Sequence, residues 1–386
     1  MPHIPPGPTT TEGAADSRPP PWRTAAREWF LAIPVLTSVI FMAFGDKLFS
    51  GLDNLAWLGL LFVWLFATVL GSALGVVRHA EAISERLGEP YGTLVLTLSI
   101  TVIEVMSITA IMMHGDDNPT LVRDTLFSVV MIILGGMVGL SLLLGAVRHR
   151  EQTFNLQGAN AYLGVIVPLA VFSLVLPNFT KATSGPTLSG AQQAMVGLMA
   201  AGLFATFLMI QTGRHRSYFA QPDSADEETH AGHGKDIRLL PHLLLLLAYM
   251  LPVVFLVEQL ARPIDYVIET LGAPQAIGGV IMAILVATPE AIGGVRAALQ
   301  NRLQRSVNIF LGSVLATIGL TVPVMLVVAH LAGLNLVLGL EPTDITLLGL
   351  ILAVSMITFS SRRTHLVQGA VHVLIFLAFL FLLFQG

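Results

Sequence analysis

Residues 271–294 read LGAPQAIGGVIMAILVATPEAIGG. A Gly- and Pro-containing turn leads into an apolar run long enough to cross a bilayer, which takes about 20 residues. One carboxylate, Glu290, stands near the centre of that run. Residues 87–104 read LGEPYGTLVLTLSITVIE and follow the same plan. Glu104 lies fourteen residues after Pro90, and Glu290 lies sixteen after Pro274. In the next apolar run of each half, Ser128 follows Glu104 by 24 residues and Ser313 follows Glu290 by 23. Two spans with the same punctuation, a lone acid each and a hydroxyl in the following span predict an internal repeat.

The rest of the chain agrees with a bilayer solvent. Of 386 residues, 54% are hydrophobic and only 11% charged, against about 25% charged in a soluble domain. Mean hydropathy is +0.77. This composition excludes a soluble globular or a disordered protein and leaves a polytopic membrane protein. The chain has no cysteine, which excludes disulfide scaffolds, thiol nucleophiles and Cys-based metal sites. A net charge of −4 gives no electrostatic basis for binding nucleic acid.

Eleven candidate spans follow: 29–45, 55–77, 91–113, 124–147, 160–177, 190–211, 239–260, 275–298, 307–331, 343–360 and 365–385. The runs are continuous and do not alternate, so a transmembrane β-barrel fits poorly. Lys and Arg test the count. With eleven alternating crossings, the side that carries the N-terminus (side one) receives 16 of them. The opposite face (side two) receives 4, namely Lys47, Arg123, Lys181 and Arg262. The positive-inside rule then makes the N-terminus cytoplasmic and the C-terminus external, as in a bacterial inner or plasma membrane.

Spans two to six resemble spans seven to eleven, and the first span is an extra. Five is odd, so the second half enters the membrane in the opposite sense. This is the inverted-repeat plan of secondary transporters, whose site lies at the repeat interface near the midplane. The sequence thus predicts an all-α integral membrane protein of eleven transmembrane helices. A disordered cytoplasmic tail (1–28) precedes the extra helix and its loop (29–54). The five-helix repeats are 55–211 and 239–386, joined by an acidic cytoplasmic linker, 212–238. The linker carries Asp223, Asp226, Glu227 and Glu228. It is a solvated connection or, because clustered carboxylates suit hard cations, a regulatory cation sensor.

A carboxylate at the bilayer centre costs about 2.5 kcal/mol or more and marks function by default. Glu104 and Glu290 are therefore the expected cation- and proton-binding groups. Thr97, Thr101 and Glu104 share one helical face. Thr288 and Pro289 precede Glu290, and the proline frees a carbonyl one turn back. Ser128, Ser313 and Thr317 supply further hydroxyls from the next helices, as ligands or as packing groups. Two ionised glutamates carry −2, which one Ca²⁺ or two protons neutralise. If only a neutral site passes the apolar gate, cation and protons exchange. Mutual repulsion and desolvation favour protonation, so protons compete with the cation. His330, His365 and His372 are relay candidates or polar packing groups, and Asp116 and Asp117 stand on a side-two loop.

These residues carry a family resemblance. Gly88–Glu104 and Arg123–Gly136 (RDTLFSVVMIILGG) resemble the first repeat signature of ChaA-type Ca²⁺/H⁺ antiporters. Ala287–Gly294 (ATPEAIGG) and Asn308–Pro323 (NIFLGSVLATIGLTVP) resemble the second. The chain is similar to this branch of the Ca²⁺/cation antiporter superfamily from about residue 30 onward. The resemblance implies ten core helices in two inverted repeats. It also implies Glu104 and Glu290 as the binding carboxylates, no resident cofactor, and alternating access that moves Ca²⁺ outward as protons enter. The family is also associated with Na⁺/H⁺ and K⁺/H⁺ exchange, the runner-up reading. The chain departs from the pattern in its first repeat, where Val102-Ile103 precede Glu104 without proline or asparagine, and Phe127-Ser128 stands in place of Gly-Ser. The half-sites are unequal, and fewer oxygens favour monovalent ions or looser binding. A channel would need a continuous polar pore. A membrane enzyme would need a catalytic motif, and neither His-Glu-x-x-His nor Gly-x-Ser-x-Gly is present.

Overall fold

The computed structural model describes residues 28–87, 91–112, 118–213, 215–219 and 239–385. The acidic residues Asp223, Asp226, Glu227 and Glu228, and Asp116 with Asp117, lie outside the described residues, as does the tail before Glu28. Within them the fold is helical, because a chain this apolar must satisfy its backbone groups internally.

The helices are α1 (Ala32–Phe49), α2 (Leu55–Leu87) and α3 (Tyr91–Met112), then α4 (Leu121–His149), α5 (Leu156–Phe179) and α6 (Gly190–Thr212). The second half contributes α7 (Leu239–Thr270), α8 (Ala276–Leu299), α9 (Leu303–Ala332), α10 (Pro342–Thr358) and α11 (Leu366–Leu383). Among the described residues nine helices are long and apolar enough to cross a membrane, and the apolar stretches Leu98–Met112 of α3 and Pro342–Thr358 are shorter. The protein is an integral membrane protein. One small departure from an all-helical chain is a two-stranded antiparallel ribbon, β1 (Gln152–Thr153) with β2 (Arg363–Thr364).

Local chemistry sets the helix ends. Asn155 caps α5 through the Gln157 amide, and Ser189 with Gln192 forms a capping box on α6. Pro342 opens α10, where its missing N–H costs nothing. Four helices contain a π turn: Met131–Met137 in α4, Val171–Val175 in α5, Tyr266–Thr270 in α7 and Thr317–Thr321 in α9. Such turns recur at functional sites and disturb the regular backbone ladder. In α4 the ring of His372 takes up the Leu134 carbonyl, with Nδ1 donating across 2.6 Å.

α4 is the most enclosed span and α1 the least, α1 lying at the periphery against α7. α2 and α7 pack extensively along one another. α8 packs on α4, α11 covers the second part of α4, and α6 covers the second part of α9.

Contacts between chain ends and loops fall into two sets. Asn155 N–H donates to Gln304, Gln152 donates to the Ala298 carbonyl, His149 reaches the Leu299 carbonyl, and β1 pairs with β2. All of these join segments that eleven alternating crossings assign to side one. Arg262 pairs with Asp46, Arg123 bonds the Gly339 carbonyl, and Val337 N–H donates to the Pro119 carbonyl. These join segments assigned to side two.

Candidate functional site

α9 carries Ser313, Thr317 and Thr321 at intervals of four, hence on one face. The first hydroxyl donates to Glu290 Oε2 on α8. Thr317 and Thr321 both donate to Glu104 Oε2 on α3, at 3.3 and 3.0 Å. A single helix thus supplies hydroxyls to both predicted acids. Glu104 is 1% exposed, and its Oε1 is buried without a hydrogen-bond partner among the described residues.

Both acids line one cavity of about 270 Å³, together with Thr101, Pro289, Ser313 and Thr317. Glu81, Gln211, Arg305 and Asn308 line it as well. Glu81 stands near the end of α2, Gln211 in the last turn of α6 and Arg305 in the first turn of α9. Eleven alternating crossings would assign all three positions to side one, and Glu81 and Arg305 are exposed, so the cavity reaches the surface at that end of these helices. Nearer its first turns, α8 lies directly against α4. A Cβ at Gly279 would stand 2.7 Å from the Asp124 carbonyl carbon and the Thr125 nitrogen, so the helices touch backbone to backbone there. Near side one, a Cβ at Gly293 would meet only Ile309 at 3.6 Å.

The donor set is carboxylate, hydroxyl and amide oxygen, and the guanidinium that lines the cavity belongs to Arg305 at its mouth. Hard cations and protons suit such a set. A buried carboxylate without a positive partner is costly when ionised and cheap when neutralised.

Not every expected residue joins this site. Ser128, the counterpart of Ser313, is buried at 1% exposure, but it lines a different cavity of about 340 Å³ on side two with Asp124, Glu341 and Asp344. The Thr288 hydroxyl bonds back to the Ile284 carbonyl at 2.6 Å and is not among the residues around the acids. The Thr97 side chain lies outside the described residues. Thr317, expected only as a further hydroxyl beyond Ser313, serves Glu104. Thr321 was missed, although its four-residue spacing from Thr317 extends the ladder that Ser313 begins. Glu28, expected to end a disordered tail, belongs to the fold: it pairs with Arg78 and accepts from Tyr249 Oη at 3.0 Å. Of the relay candidates, His330 is exposed at the end of α9, and His365 caps α11. His372 is spent on Leu134 and Thr358.

Comparison with known proteins adds to this geometry. The family model described as "Sodium/calcium exchanger protein" matches residues 57–213 and 241–385. The sodium-potassium/proton antiporter ChaA of Escherichia coli K12 is 37% identical over 94% of this chain and 98% of its own. The Sinorhizobium fredii protein y4hA is 43% identical over 81% of this chain and 85% of its own. Among solved structures, native YfkE superposes with a TM-score of 0.71 at 18% identity, covering 92% of this chain and 99% of that one. The H⁺/Ca²⁺ exchanger CAX superposes with a TM-score of 0.67 at 13% identity, covering 93% and 89%. With both halves matched and the acids on the helices the repeat predicts, the chain belongs to the sodium/calcium exchanger protein family, within the Ca²⁺/cation antiporter superfamily.

Proposed function

We propose that this protein is a secondary antiporter that exchanges a cytoplasmic inorganic cation for external protons by alternating access at Glu104 and Glu290. It is a transporter rather than an enzyme. The observation that carries this reading is the hydroxyl ladder of α9, which contacts both carboxylates inside one side-one cavity. The chain would cross a bacterial inner membrane eleven times, with the N-terminus cytoplasmic. The two sets of same-side contacts support that count. The matched coverage of α4 by α11 and of α9 by α6, with a π turn in each covered helix, supports two inverted five-helix repeats.

Charge arithmetic favours Ca²⁺. Two ionised glutamates are neutralised by one divalent ion or by two protons, so either load can pass a closed apolar gate. The single negative charge left by one Na⁺ or K⁺ is costly unless a proton accompanies the ion. The runner-up, Na⁺(K⁺)/H⁺ exchange at the same site, is favoured by the Escherichia coli relative, named a sodium-potassium/proton antiporter.

Purified protein in liposomes with an imposed pH gradient separates these readings. Addition of Ca²⁺ should collapse the gradient and drive ⁴⁵Ca²⁺ uptake, and both effects should vanish in Glu104→Gln and Glu290→Gln. Collapse by Na⁺ or K⁺ alone would transfer the function to the runner-up. Cation flux without proton movement would indicate a channel, and exchange that survives both substitutions would remove these acids from the mechanism.

A further inference from the structure

At the side-one ends of α2 and α7, two imidazoles face each other. His79 Nδ1 lies 3.0 Å from His242 Nδ1. His79 is 2% exposed, and its ring stacks on Tyr249 of α7 at a centroid distance of 5.7 Å. On its other edge, His79 Nε2 lies 3.4 Å from a Glu28 carboxylate oxygen. That carboxylate also pairs with Arg78 and accepts from Tyr249 Oη. One turn deeper, a Cβ at Gly75 would come within 2.7 Å of the Tyr249 ring, so α2 and α7 are in close contact beneath the pair.

His79 Nε2 faces both the Glu28 carboxylate and the Arg78 guanidinium, each at 3.4 Å. With one proton between the two Nδ1 atoms, one ring donates and the other accepts. When both rings are protonated, N–H is set against N–H at 3.0 Å between two imidazolium rings, and the bond is lost. Among the described residues, the other titratable or charged groups facing the rings are Glu28 before α1, Arg78 on α2 and Tyr249 on α7. No group of three His, Asp or Glu side chains among the described residues is placed to hold a metal ion.

Across α2 from the pair lies the cavity that holds the acids. Val77 and Glu81, one turn apart, line that cavity. His79 lies midway between them and so points from the opposite face of α2. Loosening His79 from α7 frees the helix segment that forms the cavity mouth.

We propose that His79 and His242 form a second proton-binding site, outside the transport cavity, that clamps α2 to α7 in the side-one-open state and releases them when both rings are protonated. Acid on side one thereby disfavours the state that admits the cytoplasmic cation, and slows proton entry when the cytoplasm is already acidic. This last step rests on the antiport reading; the clamp does not.

Because the chain has no cysteine, spin labels at Arg86→Cys and Leu240→Cys report the α2–α7 separation alone. In the doubly labelled full-length protein, the interspin distance should lengthen as pH falls from about 8 to about 5, the range in which histidines titrate. In the same protein carrying His242→Gln or His79→Gln it should not change. With Glu28→Gln, which removes the counter-charge, the transition should move to lower pH. A constant distance in the parent, or the same lengthening in both histidine variants, overturns the clamp. In vesicles with side one facing the medium, lowering the pH from 7.5 to 6 should raise the half-maximal cation concentration several-fold more in the parent than in His242→Gln. Identical profiles would overturn the regulatory role. Absence of exchange in the parent would overturn the antiport reading and leave the distance result to decide the clamp.

Discussion

Thr321 donates a hydrogen bond to Glu104 Oε2 across 3.0 Å, although the two residues lie 217 positions apart in the chain. Glu104 belongs to the first half and Thr321 to the second. The hydroxyls that solvate one half's acid therefore come from the other half's helix. Thr317 repeats the contact one turn earlier at 3.3 Å, and Ser313 turns the same face of α9 toward Glu290. Movement of α9 relative to α3 and α8 changes the solvation of both carboxylates together.

The first prediction concerns this ladder. A hydrogen bond to a charged group is worth about 1.5–3 kcal/mol. Thr321→Val removes that support from the ionised form of Glu104 and leaves the protonated form little affected. Protons then compete better with the cation. At neutral pH the half-maximal cation concentration should rise about tenfold or more, and the exchange optimum should move to higher pH. Thr321→Ser, which keeps the hydroxyl, should restore both. An unchanged pH profile in Thr321→Val would remove Thr321 from the site.

Ser313→Ala should weaken cation binding by a similar factor through Glu290. Since Ser313 acts on that carboxylate, its effect on cation binding, measured by calorimetry in detergent, should disappear in a Glu290→Gln background. Additive losses would mean that Ser313 acts elsewhere.

Arg123 and Asp124 pair at 2.8 Å and are 8% and 5% exposed. Thr120 supplies a second bond to Asp124, and Arg123 reaches the Gly339 carbonyl. Arg123→Gln leaves a buried carboxylate with a hydroxyl as its remaining partner, at a cost of about 3–5 kcal/mol. Thermal unfolding in detergent should fall by several degrees, and Arg123→Gln with Asp124→Asn should recover part of the loss. If the single variant melts with the parent, the pair contributes nothing.

His372 has both ring nitrogens occupied, by the Leu134 carbonyl and by Thr358 Oγ1 at 3.0 Å. His372→Leu strands the Leu134 carbonyl inside the π turn of α4, a loss of about 1–3 kcal/mol. Stability should drop while ion preference stays the same. A changed ion preference would give His372 a part in transport.

The sequence carried the parts of the site that follow from local periodicity. Glu104 and Glu290 stood out because a lone acid in an apolar run is costly, and Ser313 because it recurs at a repeat spacing. The four-residue step from Ser313 through Thr317 to Thr321 was legible in the same way, and only its first two members were read from it. Which acid each hydroxyl serves was not legible, since α9 crosses between the halves and the choice depends on tertiary packing. Ser128 illustrates a deeper limit. The repeat spacing pairs it with Ser313, but the two line different cavities, so similarity in sequence does not give similarity in contact. Glu28, His79 and His242 meet across three segments, and no periodicity links them. Loop pairing between β1 and β2 was hidden for the same reason.

The last prediction tests which face is closed. α8 touches α4 backbone to backbone at Gly279, where an added Cβ would stand 2.7 Å from Asp124 and Thr125 main-chain atoms. Main chain cannot yield as a side chain does, so Gly279→Ala should push the helices apart at about 1–3 kcal/mol, the usual range for overpacking. On the proposed alternating-access cycle, that strain falls on the side-two-closed state, which should lose population. At Gly293 the nearest neighbour is the flexible end of Ile309 at 3.6 Å, ordinary contact distance, so Gly293→Ala should be tolerated. A cysteine introduced at Ser128, next to the closed contact, should react faster with a side-two thiol reagent in Gly279→Ala than in the parent, and at the parent's rate in Gly293→Ala. Turnover should fall in Gly279→Ala, because a state that must close can no longer do so fully. Equal reactivity in all three proteins would mean that the Gly279 contact does not seal the path, and the closed face would have to be sought elsewhere along α8.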